Sequence, residues 1–315
     1  MDLTPDATVE ASDPRALYAR GLVRRFEGVE ALRGVDLDVR RGELYGLIGP
    51  DGAGKTTTIR LLAGLMAPDA GEARVLGLDP LHGGSRVREA LGLMPQQYSL
   101  YGDLTIGENL RFFGWLFCID RARYRARTER LLQITRLAPF VDRRADALSG
   151  GMYKKLALAC ALLHQPEVLL LDEPTNGVDP VSRRELWELL HEFVHDGMTV
   201  LVSTPYMDEA ERCHRVALIH RGRILAEGDP RALVRDFDHP CFVVEDGDRQ
   251  RLDEVLTGHP AVRAMSPAGS RLRIVLAPGS QDGVAALLKS HGARLVPAVP
   301  VFEDLFLVRL AGEDA

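Results

Sequence analysis

Apolar and polar positions alternate where the chain first looks structured. ALYARGLVRRF (16–26) and ALRGVDLDV (31–39) read as two strands, the second setting Val35, Leu37 and Val39 against polar neighbours. ELYGLIG (43–49) is instead a continuous apolar run ending in glycine, as expected of a buried strand that feeds a loop. TTTIRLLAGLMAP follows with helical spacing, and Pro68 is the expected stop. From about Leu100 to Gln165 strand signals vanish. ENLRFFGWLF, YRARTERLLQITRL and GGMYKKLALACALLH all carry apolar residues at helical intervals, so a helical insertion is predicted over about 100–165.

Strand character then returns with PEVLLLD, whose Val168–Leu171 run is continuous, as in a strand covered on both faces. Helix (VSRRELWELLHEFVHD), strand (MTVLVS), helix (MDEAERC) and strand (RVALIH) follow. The predicted fold is α/β, a mostly parallel sheet interrupted by a helical subdomain. A linker is expected around Arg235–Pro240. Beyond it CFVVED, RLDEVLTGH, AVRAM, RLRIVLAP, GVAALLKSHG and RLVPAV read βαββαβ, the order of a small ferredoxin-like α+β domain, and the chain closes with EDLFLVRL. The expected organisation is a disordered tail over 1–15, a main domain over 16–235 and an accessory domain over 240–315.

Composition narrows the function classes. The 315 residues are 46% hydrophobic and 27% charged, globular values that exclude disordered, collagen-like and coiled-coil arrays. Of the net charge of −6, four units lie in the leading residues Asp2, Asp6, Glu10 and Asp13, so nothing in the balance predicts a nucleic-acid partner. No stretch nears ~18 uninterrupted apolar residues, and the acidic first residues lack the apolar core of a secretory signal, so no membrane span or leader is predicted. Cys118, Cys160, Cys213 and Cys241 are scattered without metal-ligand spacing and read as reduced thiols of a cytoplasmic protein.

Candidate chemistry concentrates in three places. Gly49-Pro50-Asp51-Gly52-Ala53-Gly54-Lys55-Thr56 matches the phosphate-loop pattern between a strand and a helix, with Thr57 following. Its glycines let backbone N–H groups converge on phosphate oxygens, the helix adds its positive end, Lys55 reaches the β- and γ-phosphates, and the Thr56 hydroxyl ligates Mg²⁺. Asp172, ending an apolar strand, sits at the carboxyl edge of the sheet and suits a Mg²⁺-bound water, while Glu173 suits polarising the attacking water. Alone, such a pair also fits a helix N-cap. Ser149-Gly150-Gly151 opens a helix whose exposed N–H donors suit another phosphate, or simply mark a loop-to-helix junction.

Gly49–Thr56, Gln96, Leu148–Met152, Leu169–Glu173 and Asp179, in this order, resemble the ATPase domain of ABC transporters over about residues 16–235, and within it the ATP-binding subunits of ABC-2-type, drug-resistance-like exporters. The resemblance implies a P-loop ATPase fold with an added antiparallel β region, ATP and Mg²⁺ as ligands, a head-to-tail homodimer or heterodimer, a separate ABC-2-type membrane permease, and a place on the inner face of the membrane. It implies that Phe26 stacks on adenine, that Gln96 touches Mg²⁺ and senses the permease, that Ser149-Gly150-Gly151 completes the partner subunit's ATP site, and that Asp179 lies in a loop crossing the dimer interface. By themselves Phe26 reads as a core aromatic and Gln96 as a surface polar residue. The helical insertion, with Tyr98, Tyr101 and Trp115 nearby, becomes a permease contact by the same analogy.

The sequence departs from that pattern twice. Met152 stands where glutamine is usual, and Pro205 stands where the family's switch histidine aligns. Proline offers neither a side-chain donor nor a backbone N–H, so a slowed ATP site is expected unless Pro205 merely shapes the turn. His214 and His220 are near in sequence. The Arg121, Arg123, Arg125, Arg127, Arg130 and Arg136 run reads as a solvated face, with anionic lipid headgroups as the rival reading. The expected activity is ATP hydrolysis that drives export. The rivals are a regulatory subunit that binds ATP without turning it over and a soluble, non-transport ABC ATPase.

Overall fold

The computed structural model describes residues 14–97 and 100–313. The lead-in over residues 1–13 and the proposed permease contact Tyr98 therefore lie outside the described residues. The fold divides into two compact units, one comprising residues 14–206 with 212–224 and the other 207–211 with 225–313. The division falls ahead of the Arg235–Pro240 link expected from composition.

In the first unit, β1 (Arg15–Phe26) and β2 (Val29–Arg40) form a long antiparallel hairpin, closed by Glu27 and Gly28 at positive φ. β3 (Leu44–Ile48) is buried at every position. It leads through a loop into α1 (Lys55–Leu62). This helix stops well before Pro68: the N–H of Leu65 donates to the C=O of Arg60 at 2.9 Å, a Schellman closure that needs no proline. β4 (Ala70–Val75) adds to the free side of β1, giving a three-stranded sheet β2-β1-β4, the antiparallel region that the resemblance implies. α2 (Gly84–Ala90) and β5 (Leu91–Met94) follow.

Between about residues 100 and 165 the secondary structure is helical: α3 (Ile106–Leu116), α4 (Arg121–Ile134) and α5 (Gly150–Leu162). Each start has a side-chain cap, from Thr105, Asp120 and Ser149, and Thr105 with Glu108 forms a full capping box. The fully buried Asn109 accepts from the N–H of Tyr101 and donates to the C=O groups of Tyr101, Leu104 and Thr105, which fixes the turn into α3.

The parallel sheet resumes with β6 (Val168–Asp172), α6 (Pro180–His195), β7 (Thr199–Thr204) and β8 (Arg215–His220). Its order is β5-β6-β7-β3-β8, with β9 (Arg223–Gly228) starting beyond β8. The phosphate-loop strand β3 and the carboxylate strand β6 are therefore separated by β7 alone, the topology that brings their carboxyl ends to one rim. The MDEAERC segment forms a 3-10 helix over Met207–Arg212 rather than the predicted α-helix. Short connecting turns between strands commonly take this tighter winding.

In the second unit, α7 (Pro230–Arg235) precedes β10 (Cys241–Asp246), α8 (Arg249–Leu256), β11 (Val262–Ala268), β12 (Arg271–Leu276), α9 (Gln281–Ser290) and β13 (Ala293–Ala298). The sheet order β11-β12-β10-β13, antiparallel at every pairing, is that of the split-βαβ ferredoxin-like plan. Val244, Leu252, Leu256, Ile274, Val284 and Leu288 fill its core. The closing EDLFLVRL segment forms α10 (Phe302–Glu313). No disulfide joins the four cysteines, and burial pushes the Cys241 thiol up to about 12, so it is no nucleophile at neutral pH.

Asp304 on α10 is buried and takes a two-pronged contact from Arg273 of β12, Nε to Oδ1 at 2.7 Å and Nη2 to Oδ2 at 2.6 Å. The N–H of Val301 also donates to it, at 2.8 Å. Removing one partner of such a buried pair strands the other charge. Asp304→Ala should therefore destabilise this unit by about 3 kcal/mol. The measurement is urea unfolding, with a lowered midpoint expected, and an unshifted midpoint would show that the pair does not clasp α10 to the sheet.

Candidate functional site

The loop Gly49–Gly54 joins the carboxyl end of β3 to the amino end of α1, so its N–H groups and the helix end point the same way. Gly54 sits at φ +111, and a Cβ there would fall 2.7 Å from a Leu32 methyl and 2.8 Å from the Ala31 carbonyl. Only glycine fits on both counts. The Gly49 N–H donates to Thr204 O at 3.2 Å, and the Gly222 N–H to Ala53 O at 2.9 Å, tying the loop to the last residue of β7 and to the chain just past β8.

Lys55, 3% exposed, donates to the carbonyls of Gly49 (2.8 Å) and Pro50 (3.1 Å) and pairs with Glu173 Oε1 at 3.1 Å. Asp51, on the exposed crest of the loop, lies 3.8 Å from the same ammonium. Thr56 and Thr57 are half-buried in the first turn of α1.

Asp172 is the last residue of β6, paired in register with Ser203 of β7. The Ser203 hydroxyl donates to Asp172 Oδ1 at 2.7 Å and accepts the Glu173 N–H at 3.1 Å, so one serine orients both carboxylate residues. Glu173 is 3% exposed and holds φ +50, a left-handed conformation that costs a non-glycine residue of order 1 kcal/mol. Its Oε2 accepts from Gln96 Nε2 at 2.9 Å and from Asn176 Nδ2 at 3.3 Å. Lys55, Glu173 and Gln96 thus meet directly, and Asp172 joins them through Ser203.

Lys154 of α5 approaches the same region, its ammonium 3.5 Å from the Gln96 carbonyl. Burial pushes its pKa below the usual lysine range, against the opposing pull of Glu173 and Asp172. Sequence reasoning assigned no role to Ser203, Asn176 or Lys154. Ser203 and Lys154 reach the site through strand register and helix packing, which leave no local signal. Asn176 had one: it sits three residues after Glu173, and its N–H closes a turn on the Glu173 carbonyl at 3.2 Å.

The other predicted residues lie apart from this cluster. Phe26 ends β1, 40% exposed, with the Arg24 guanidinium 4.9 Å above its ring, so it is not the core aromatic that its type alone suggested. Ser149 caps α5 by accepting the Met152 N–H at 3.3 Å. Gly150 beside it is exposed, while a Cβ on Gly151 would stand 2.3 Å from the Ser182 hydroxyl of α6. Asp179 caps α6 through the N–H groups of Val181 (3.1 Å) and Ser182 (3.0 Å), and the Ser182 bonds above all hold its carboxyl below the usual range. His214 accepts the Leu44 N–H at 3.2 Å, at the end of β3 remote from the phosphate loop, and His220 ends β8. In the arginine run, Arg123, Arg127, Arg130 and Arg136 are engaged by Asp120, the Leu163 carbonyl, Asp196 and Glu185, which favours a solvated protein face over lipid contact.

A triphosphate fits this arrangement. A buried ammonium paired with one carboxylate and donating to two carbonyls is ready for anionic oxygens, and the loop around it admits no extra Cβ at Gly54. Among the described residues no group of three His, Cys, Asp or Glu side chains can hold a metal alone, so a divalent ion at Thr56 and Asp172 needs phosphate oxygens to fill its shell.

Residues 32–176 match the family described as ABC transporter. The chain is 41% identical over 298 residues to a probable multidrug ABC transporter ATP-binding protein of Escherichia coli, covering 93% of this chain and 51% of that one, so it spans about half of that relative's length. With the Nod factor export ATP-binding protein I of a Rhizobium species it shares 38% identity over 303 residues, 95% of this chain and 98% of the other. Among solved structures, an ATP-binding subunit of an ABC transporter superposes with a TM-score of 0.64 at 33% identity, over 70% of this chain and 93% of that one. A dimeric ATP-binding cassette in a post-hydrolysis state, bound to ADP and Pi, superposes with a TM-score of 0.60 at 25% identity, over 68% and 98%.

Lys55→Ala should abolish MgATP binding, because it removes the buried ammonium and leaves Glu173 facing the phosphates unneutralised. An equilibrium titration reads this directly, and tight binding that survives the substitution would contradict the assignment of this loop as the nucleotide site.

Proposed function

The chain belongs to the ABC transporter family of ATP-binding proteins, and on that premise we propose that it is the nucleotide-binding subunit of an exporter, hydrolysing MgATP to drive a separate ABC-2-type permease. The observation that carries this reading is the Lys55–Glu173–Gln96 cluster beneath a strand–glycine loop–helix turn. When bound, Mg²⁺ draws charge from the β- and γ-phosphates. The following roles are proposed for the residues of this chain. The loop N–H groups and Lys55 would hold phosphate oxygens, Thr56, Asp172 and Gln96 would hold the metal, and Ser203 keeps Asp172 turned toward the rim. Glu173 takes a proton from the attacking water once Lys55 leaves its Oε1 for phosphate.

Phe26, exposed at the end of β1, supplies a ring for adenine. Ser149, Gly150 and Gly151 are offered to the ATP of a second subunit, homodimer or heterodimer, and the dimeric relative with ADP and Pi supports this plan. We assign the ATPase domain to 16–235 and an accessory domain to 240–315, the division between the compact units at residues 224 and 225 falling inside the former. Among the described residues no helix is long and apolar enough to cross a membrane. The exposed Tyr101 and Trp115 of the helical region are candidate permease contacts, which would hold the subunit on the inner, cytoplasmic face of the membrane. The names of the relatives, a multidrug transporter and a Nod factor exporter, support export as the direction.

Pro205 favours one further reading, a regulatory subunit whose ATP site turns over slowly or not at all. A motor needs the closed dimer. Glu173→Gln, which retains the site but removes the base, should sediment with MgATP at about twice its 34.7 kDa mass and as the monomer without nucleotide. A monomer under both conditions would contradict a homodimeric motor.

A further inference from the structure

Position 205 holds proline, yet the Glu173 carboxylate is not left without an orienting neighbour on that side. Thr204 ends β7, and its hydroxyl accepts the Tyr206 N–H at 3.1 Å, which turns the chain back immediately after Pro205. The turn brings the Tyr206 hydroxyl to 3.5 Å from Asn176 Oδ1. The other end of the same amide, Nδ2, donates to Glu173 Oε2 at 3.3 Å. Above the Tyr206 ring lies the Arg183 guanidinium, 4.2 Å from the centroid, a cation–π contact that pins the ring against α6.

The chemistry of the amide makes this chain of contacts directional. An asparagine side chain presents an acceptor at one end and donors at the other. A phenol donating to Oδ1 fixes Nδ2 toward the carboxylate, whereas the flipped amide would set two oxygens against each other at Glu173. Asn176 is also held at its backbone, where its N–H meets the Glu173 carbonyl at 3.2 Å. Of the three side chains on the Glu173 carboxylate, Lys55 is the one a phosphate recruits. Oε2 then stays anchored by Gln96 and Asn176 while Oε1 is freed toward water.

We propose that Asn176 and Tyr206 are positioning residues for hydrolysis, holding Glu173 in the orientation that a side chain at position 205 does not supply. This rests on the reading of Glu173 as the base. The phenol transfers no proton; it fixes the amide, and the amide fixes the carboxylate.

The test is steady-state MgATP hydrolysis by the full chain, with Glu173→Gln as the blank and unfolding midpoints as the control on folding. Tyr206→Phe, which removes only the hydroxyl, should lower kcat about fivefold to tenfold with KM unchanged, the loss expected for one orienting hydrogen bond. Asn176→Asp, nearly isosteric but unable to donate at that end, should lower it further. In a Pro205→His background, where an imidazole supplies a second donor, Tyr206→Phe should cost less than twofold. An unchanged kcat in Tyr206→Phe, or the same loss in both backgrounds, would overturn the proposal. Wild-type hydrolysis no greater than the blank would overturn the reading of Glu173 itself, and this inference with it, an outcome distinct from an active enzyme indifferent to Tyr206.

Discussion

The buried pair between Lys55 and Glu173 is the contact on which the rest of this site depends. It joins the loop after β3 to the end of β6, two strands that do not touch because β7 runs between them. Burying both charges carries a desolvation cost of several kcal/mol, which their attraction offsets only with good geometry and further hydrogen bonds. Those bonds are present: two loop carbonyls on the ammonium, two amides on the carboxylate. On the proposed reading, the pair stores a cation beneath the loop until anionic oxygens arrive, and Glu173 gains its freedom to act as a base only when Lys55 is drawn away.

β7 is the quiet partner in this arrangement. Its last two residues face opposite neighbours, Ser203 bonding Asp172 and Glu173, and Thr204 accepting the Gly49 N–H through its carbonyl. Any change at the end of β7 is felt by both halves of the site. Pro205 comes next in the chain, so the sequence's departure from the family pattern falls at the point where the two halves are stitched together. A proline there removes a donor but also fixes φ, and the turn it helps to make presents Tyr206 to Asn176.

What was legible in the sequence was what is encoded locally. The phosphate loop is a contiguous motif, the covered strands β3 and β6 are continuous apolar runs, and the helical region shows its period in three separate segments. The βαββαβ order of the last domain was readable because glycine-bearing turns separate its short strand-like and helical segments, and the observed sheet order matches the ferredoxin-like plan. β4 and β5 went unread: AGEARV and LGLM are short, and their pairing partners, β1 and β6, lie 45 or more residues away in the chain. The end of α1 was misplaced because a Schellman closure outranked the proline signal. Ser203 was invisible as a site residue for a different reason, whereas Asn176 carried a signal in its spacing from Glu173. Strand register decides what Ser203 touches, and a strand buried on both faces shows no alternation from which register can be read.

The central claim is that this chain holds a working water-activating base despite lacking a histidine at position 205. The most direct measurement is a single-turnover experiment, with protein in excess over MgATP, quenched at intervals and assayed for ADP. Conversion of the bound ATP by the wild type, with Glu173→Gln retaining it intact, is the result the account predicts. Bound ATP that persists equally in both proteins would contradict it.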